Sequence, residues 1–158
     1  VSTGIGWDVH RLVAGRPLIL GGVRLEHHRG LDGHSDADVL THAVIDAMLG
    51  AAGLGDIGEH FPDTDPAYAG ADSMDLLLHT VALLAGAGLR VAHVDTTLIM
   101  ERPKLAPVKA QIRAALADAL DLEVEHVNVK ATRGEGMGFI GREEGVGALA
   151  VVTVGARS

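Results

Sequence analysis

No cysteine occurs among the 158 residues, so disulfides, thiolate metal sites and cysteine nucleophiles are excluded. Aromatic side chains make up only 3% of the chain, and the core must therefore be assembled from Leu, Val, Ile and Ala. No stretch approaches the roughly 18 uninterrupted apolar residues that a membrane-spanning helix requires. The segment beginning Val1-Ser2-Thr3 lacks the basic-then-apolar order of a secretory signal. Basic residues are few: 13 Lys and Arg stand against 21 Asp and Glu, a formal net charge of −8. That balance disfavours sequence-independent nucleic-acid binding, which needs a Lys/Arg surface. It remains compatible with a phosphorylated ligand, because a metal ion and a few local cations outweigh bulk charge. The expectation from these absences is a cytoplasmic protein with neither nucleic acid nor membrane as partner.

Hydrophobic residues reach 47%, well above the level at which chains stay disordered. The length suits a single domain over residues 1–158, large enough to bury about 70% of its unfolded-chain surface. Glycine is abundant, 21 residues falling in clusters, as expected where backbone approaches a ligand closely. Alternation of Ile5, Trp7 and Val9 against Gly6, Asp8 and His10 predicts a strand from Thr3 to Leu12. Leu18 to Leu25 reads as a second strand in which Gly21-Gly22 forms a bulge. After a polar loop at 26–36, Asp36 or Asp38 caps a helix to about Ala52, with Val39, Ala43, Val44, Ala47 and Met48 as its apolar face. A Gly/Pro/Asp loop follows to Ala71, then a helix from Ser73 to Leu84 and a strand from Arg90 to Met100. Pro103 opens a third helix, and strands at Val127–Thr132 and Gly147–Val154 complete the chain. This order suits an α+β plan, a mixed sheet with helices on one face.

Five constellations carry chemistry. Asp8 and His10, two apart on a strand, point to one face with Cα atoms about 6.6 Å apart. Asp38, His42 and Asp46 stand at helical i, i+4, i+8 spacing, an acid–His–acid ladder that is costly on a half-buried helix unless its charges are paired. One solution makes His42 a metal ligand whose other ring nitrogen is held by a carboxylate. Asp8, His10 and His42 then form a two-His, one-carboxylate set that leaves a position for substrate, as catalytic zinc sites do. Gly55 to Pro66 is a stiffened loop whose acids suit hydroxyl groups or simply turns. Pro103-Lys104-Leu105-Ala106-Pro107 reads as a helix start offering N–H groups to anions or base edges. From Gly134 to Gly141, four glycines lie next to Arg133, Glu135 and Arg142. Their N–H groups suit phosphate oxygens, the guanidinium forks suit phosphate, and Glu135 offers a hard oxygen to Mg²⁺.

These blocks, in this order, resemble the 2-C-methyl-D-erythritol 2,4-cyclodiphosphate synthase family. The resemblance runs nearly end to end. It rests on Gly6-Trp7-Asp8-Val9-His10, His34-Ser35-Asp36, His42, Gly55-Asp56-Ile57-Gly58, Phe61-Pro62-Asp63-Thr64-Asp65, Pro103-Lys104, Val127 to Thr132 and Gly138-Phe139-Ile140-Gly141-Arg142. It implies a homotrimer of α+β subunits, each with a four-stranded mixed sheet, helices on one face and a small β-hairpin, with active sites between neighbours. It implies zinc on Asp8, His10 and His42, and a second divalent cation, magnesium or manganese, on Glu135. Substrate would meet Asp8, His10, His34 and Ser35. Its erythritol part would lie against Asp56, Ile57, Gly58, Phe61, Asp63 and Asp65, and its cytidine diphosphate part against Met100, Pro103, Lys104, Leu105, Ala106, Ala131, Thr132 and Arg133. Phe139 and Arg142 would line a cavity on the threefold axis that takes an isoprenoid diphosphate.

The activity so implied is that of a phosphorus–oxygen lyase. It converts 4-diphosphocytidyl-2-C-methyl-D-erythritol 2-phosphate into the 2,4-cyclodiphosphate and CMP, in the non-mevalonate isoprenoid precursor pathway. His34 and Arg133 would be the catalytic residues, stabilising the phosphate under attack. A zinc-dependent nucleotide-diphosphate hydrolase and a non-enzymatic isoprenoid diphosphate carrier are the competing readings of the same residues. Two positions depart from the family pattern. Arg133 stands where the family carries the last Thr of Thr-Thr-Thr or Ala-Thr-Thr, which contacts the transferring phosphate. Glu143 follows Gly141-Arg142 where the family reads Gly-Arg-Gly-Glu-Gly.

Overall fold

Strand β1 spans Ser2–Ala14. Gly4, Gly6, Asp8, His10 and Leu12 lie on its inner face, while Ile5, Trp7, Val9 and Arg11 are exposed on the other. The two glycines decide what packs there. A Cβ on Gly4 would lie 2.1 Å from the Ala47 carbonyl oxygen, and one on Gly6 would lie 1.9 Å from that of Ala43. Helix α1 (Val39–Ala52) therefore rests directly on the β1 backbone, closer than any side chain permits. That approach carries His42 to the level of Asp8 and His10.

The computed structural model describes residues Val1–Ser158. Between β1 and α1 lie β2 (Leu18–Leu20), β3 (Val23–Leu25) and β4 (Arg29–Leu31). After α1 come the one-turn helix α2 (Ile57–His60), α3 (Ser73–Gly86), β5 (Leu89–Ile99), α4 (Lys109–Leu120), β6 (Val127–Thr132), the short α5 (Gly138–Gly141) and β7 (Gly145–Ala156). The main sheet has the order β4-β1-β7-β5-β6, and β2-β3 stand apart as a hairpin. All its pairings are antiparallel except β5–β6, which needs a crossover and obtains it from α4. Helices α1, α3 and α4 pack on one face. The 35 buried apolar residues form one cluster between the layers.

Several sequence expectations require correction. The sheet has five strands, not four, because the three-residue β4 pairs with the end of β1, Leu12 opposite Leu31. Gly21 and Gly22 are the turn of the β2–β3 hairpin, not a bulge. Their φ values of 58° and 77° are the two successive positive angles that a primed turn demands. Helix α4 starts at Lys109, not Pro103; residues 101–108 are a loop in which the Val108 and Lys109 N–H groups turn back to the Leu105 carbonyl. The Asp38–His42–Asp46 ladder does not exist as one face. Asp38 is the N-cap of α1, fully buried. It accepts from the N–H of Thr41 (3.0 Å), the Thr41 hydroxyl (2.8 Å) and the N–H groups of Gly21 (2.9 Å) and Gly22 (2.8 Å). Burial pushes its pKa up, and these four donors pull against that. One carboxylate thus starts the helix and ties the hairpin to it. No helix is long and apolar enough to cross a membrane.

Candidate active site

Asp8 and His10 reach one point from β1 and His42 reaches it from α1. Asp8 Oδ2 lies 2.9 Å from His10 Nε2 and 3.1 Å from His42 Nδ1, and the two ring nitrogens are 3.3 Å apart. The other ring nitrogens settle the tautomers. His10 Nδ1 is 2.9 Å from the Asp32 carbonyl oxygen, an acceptor only, so it carries the proton. His42 Nε2 is 2.8 Å from the Ser73 hydroxyl and 3.2 Å from that of Ser35, and Ser73 in turn donates to Asp36. With His42 Nε2–H donating to Ser73, each imidazole turns an unprotonated nitrogen towards Asp8. Two lone pairs and a carboxylate oxygen facing one another repel unless a proton or a cation sits among them. The donor set therefore fits a metal ion, with its outer hydrogen bonds already made. The carboxylate behind His42 is Asp36, acting through Ser73, rather than a neighbour on the same helix.

The charges respond accordingly. Burial alone would raise the pKa of Asp8, but hydrogen bonds and charges from His10 and His42 outweigh it and hold the group down at about 2. Burial opposes protonation of His10, yet the hydrogen bond and charge of Asp8, with the Asp32 carbonyl, raise its pKa above 6.5.

This cluster opens into a cleft of about 490 Å³, bordered by Trp7, Gly33, His34, Ser35, Asp46, Ile57, Gly58, Phe61, Pro62, Asp63, Tyr68 and Leu76. His34 points Nε2 at the Asp65 carbonyl, 2.8 Å away. Asp46 holds the start of α2 by accepting from the N–H of Ile57 at 3.1 Å. Asp56 caps α2 and Asp65 caps the turn at Pro66–Tyr68, each through a hydrogen bond to the following backbone. Their carboxylates are thus engaged locally, whereas Asp63 borders the cleft.

A second cleft, about 970 Å³, opens where the parallel strands β5 and β6 end side by side, Ile99 opposite Thr132. Residues 100–106 with Ala131, Thr132 and Arg133 line it, joined by His27, His28 and Lys109. No residue borders both clefts. In the glycine-rich loop the N–H groups of Gly134 and Gly136 are already engaged, donating to Glu101 at 2.9 and 3.1 Å. Glu101 thereby ties the two walls of this cleft together. Arg133 and Glu135 are exposed at its rim, 3.9 Å apart. Phe139 and Arg142 border neither cleft; Arg142 is paired with Glu144 at 2.7 Å.

The profile of the YgbB family matches residues 1–155. The 2-C-methyl-D-erythritol 2,4-cyclodiphosphate synthase of Syntrophobacter fumaroxidans is 59% identical over 152 residues, 96% of each chain. The chain belongs to the YgbB family of 2-C-methyl-D-erythritol 2,4-cyclodiphosphate synthases. Among solved structures, the bifunctional IspDF of Campylobacter jejuni superposes with a TM-score of 0.95 at 44% identity, covering 98% of this chain and 42% of that one. A 2C-methyl-D-erythritol-2,4-cyclodiphosphate synthase solved with CDP matches with a TM-score of 0.89 at 36% identity, over 97% and 99% of the two chains.

Within this synthase fold, sequence reasoning missed Asp32, Ser73, Asp36 in its supporting role, and Glu101. Asp32 acts through a backbone carbonyl, which no side-chain pattern reveals. Ser73 lies 31 residues from His42, beyond any local periodicity. The paired His27-His28 in the polar loop was the one visible sign of the second cleft's extra members.

Proposed function

We propose that this chain closes 4-diphosphocytidyl-2-C-methyl-D-erythritol 2-phosphate to the 2,4-cyclodiphosphate with release of CMP, as a phosphorus–oxygen lyase of the non-mevalonate isoprenoid pathway. The observation that carries the reading is the Asp8–His10–His42 donor set, all ligand atoms within 4.8 Å of one another, at the wall of a cleft that also presents His34, Ser35 and Asp63. A zinc ion held there would supply Lewis acidity to a phosphoryl oxygen. The protein's own task is positioning and charge stabilisation, which is most of what phosphoryl transfer asks. The 2-phosphate oxygen of the substrate attacks the β-phosphorus, the bond from that phosphorus to the CMP oxygen breaks, and no protein nucleophile is needed. Holding both phosphates in line makes the attack intramolecular in the productive sense. His34 gives its Nε2–H to the Asp65 carbonyl; donation from Nδ1 to a phosphate oxygen would require the doubly protonated ring, in which both nitrogens are donors. Lys104, Lys109, Arg102 and Arg133 border the second cleft and suit the diphosphate, and a relative solved with CDP supports a cytidine nucleotide as ligand. Glu135 offers a single exposed carboxylate; magnesium or manganese on it would take its remaining ligands from substrate phosphates.

We further propose that three chains assemble so that the metal cleft of one meets the nucleotide cleft of the next. The disjoint linings of the two clefts support this, as does the bare outer face of the sheet. Ile5, Trp7, Val9 and Val151 are 68%, 49%, 42% and 40% exposed, and Ile5 and Val151 are cross-strand partners. Such an apolar band belongs against a partner. In that assembly Phe139 and Arg142 would surround the axis and meet an isoprenoid diphosphate. The deciding experiment for the reaction is ³¹P NMR of products from the synthetic substrate with Zn²⁺ and Mg²⁺. CMP plus a cyclic diphosphate is the expected result; CMP plus a linear diphosphate would make the chain a hydrolase, and unchanged substrate a binder.

A further inference from the structure

Arg16 is a half-buried arginine that forms no ion pair. Its guanidinium instead donates to three backbone carbonyls of one short loop: Nε to Leu31 at 3.0 Å, one terminal nitrogen to Gly33 at 3.1 Å and the other to Ser35 at 2.9 Å. These three carbonyls converge on one guanidinium, while the carbonyl between the first two, that of Asp32, accepts from His10 Nδ1. The same loop bears His34 and Ser35, and Ser35 Oγ lies 3.2 Å from His42 Nε2.

The surroundings are built to keep Arg16 in place. Gly15 takes φ 82° to turn the chain out of β1. A Cβ on Gly30 would lie 2.2 Å from the carbonyl oxygens of both Arg16 and Pro17, so β4 lies directly on this segment. A Cβ on Gly33 would come within 3.2 Å of the His10 ring, so the loop also abuts the ligand it supports. A planar five-donor fork spans three carbonyls at fixed angles, which a single ammonium cannot.

We infer that Arg16 is a positioning residue: by fixing the carbonyls on either side of Asp32 it sets the hydrogen bond that orients His10, and it holds His34 and Ser35 in the metal cleft. The inference rests on the metal-centre reading above. The test uses the full chain and the variants Arg16→Met, which keeps the aliphatic stem, and Arg16→Lys, which keeps the charge. Zinc affinity by competition with a chromophoric chelator should weaken in Arg16→Met by about 10- to 100-fold, the scale of losing an outer-shell partner. The kcat should fall on the same scale while KM stays within about twofold, since a distorted loop perturbs chemistry more than uniform binding. Amide exchange over residues 31–36 should quicken, and CDP binding at the separate nucleotide cleft should hold. Arg16→Lys should stay near Arg16→Met, and it decides the matter if Arg16→Met does not fold. Full rescue by Lys, or unchanged loop exchange in Arg16→Met, overturns the role of Arg16. A starting protein that takes up no zinc overturns the metal centre, and with it the metal half of this inference, while the exchange measurement still reports on the loop alone.

Discussion

Asp8 shares one oxygen between two imidazoles, and Asp8 and His10 respond to pH in opposite senses. In the ion-free protein the pKa of Asp8 is held at about 2 against an ordinary 3.8. Its contribution to stability is thus present above 3.8 and lost as the pH falls through about 2. The pKa of His10 is raised above 6.5, so its contribution is present below 6.5 and lost as the pH rises through the raised value. The same proton competes with zinc, and zinc uptake should weaken as the pH drops through that value. Elemental analysis after equilibration across about pH 5 to 8 checks this; uptake that is flat over the range would remove His10 from the ligand set. His42→Ala should lose both stoichiometric zinc and turnover. Arg133 is a different kind of residue, 61% exposed at the rim of the nucleotide cleft and 3.9 Å from an equally free Glu135. A charged fork there replaces the neutral hydroxyl of the family pattern. Arg133→Ala should lower kcat by about 10- to 100-fold, the worth of one charge-assisted bond to a transition-state oxygen, and Arg133→Thr should restore much of it. Steady-state kinetics showing no change for Arg133→Ala would leave His34 as the principal phosphate stabiliser.

At the scale of the element, helix α1 is placed by what surrounds its ends and its contact face. Asp38 satisfies the first-turn N–H of Thr41 and both turn N–H groups of the hairpin. Removing it takes the acceptor from four donors, three of them in buried bonds and the fourth, the N–H of exposed Gly22, part-buried. Asp38→Ala should therefore cost more than the ~1 kcal/mol of an ordinary cap, about 3–5 kcal/mol when the stranded donors are counted. A fall of the denaturation midpoint by only the ordinary amount would mean that the hairpin finds other acceptors. Gly6 tests the opposite face. A methyl group 1.9 Å from the Ala43 oxygen forces α1 away from β1, and His42 moves with it. Gly6→Ala should thus weaken zinc binding as well as stability, whereas an alanine at Gly53, with open space around it but φ 68°, should affect stability alone. The alternation of β1 and an Asp cap before an apolar run were legible in the sequence; the α1–β1 contact through Gly4 and Gly6 was not, because it depends on which face the helix lands on. The starting point of α4 was not, because Pro103 resembles a helix opener while the chain spends residues 101–108 as a cleft wall.

At the scale of the molecule, the two clefts on each chain and the apolar outer face of the sheet make a directed expectation. If each site is shared, a chain crippled in its metal cleft and a chain crippled in its nucleotide cleft complement one another. His42→Ala and Lys104→Ala proteins, each inactive alone, should regain about a quarter of full activity when mixed chains reassemble at random around a closed ring. Recovery of nothing would place both halves of the site in one chain. Trp7→Asp, on the exposed β1 face, should yield smaller particles by light scattering with native circular dichroism but little turnover. An unchanged particle mass would exclude that face as the contact.

The sequence by itself determined the candidate ligand types and that Asp8 and His10 share one face, since strand alternation acts over a few residues. It determined the strand β6 at Val127–Thr132, that Asp36 or Asp38 caps α1, and the absence of any thiolate ligand. Only the tertiary structure decided which groups hold those ligands. Asp32 and Ser73 reach His10 and His42 across 22 and 31 residues, and Glu101 reaches Gly134 across 33. It also decided that Gly21-Gly22 turn rather than bulge, because the N–H groups they free are the ones Asp38 accepts. Such bonds depend on how layers pack, and packing is set by the sum of burial over the whole core, which no window of neighbouring residues contains.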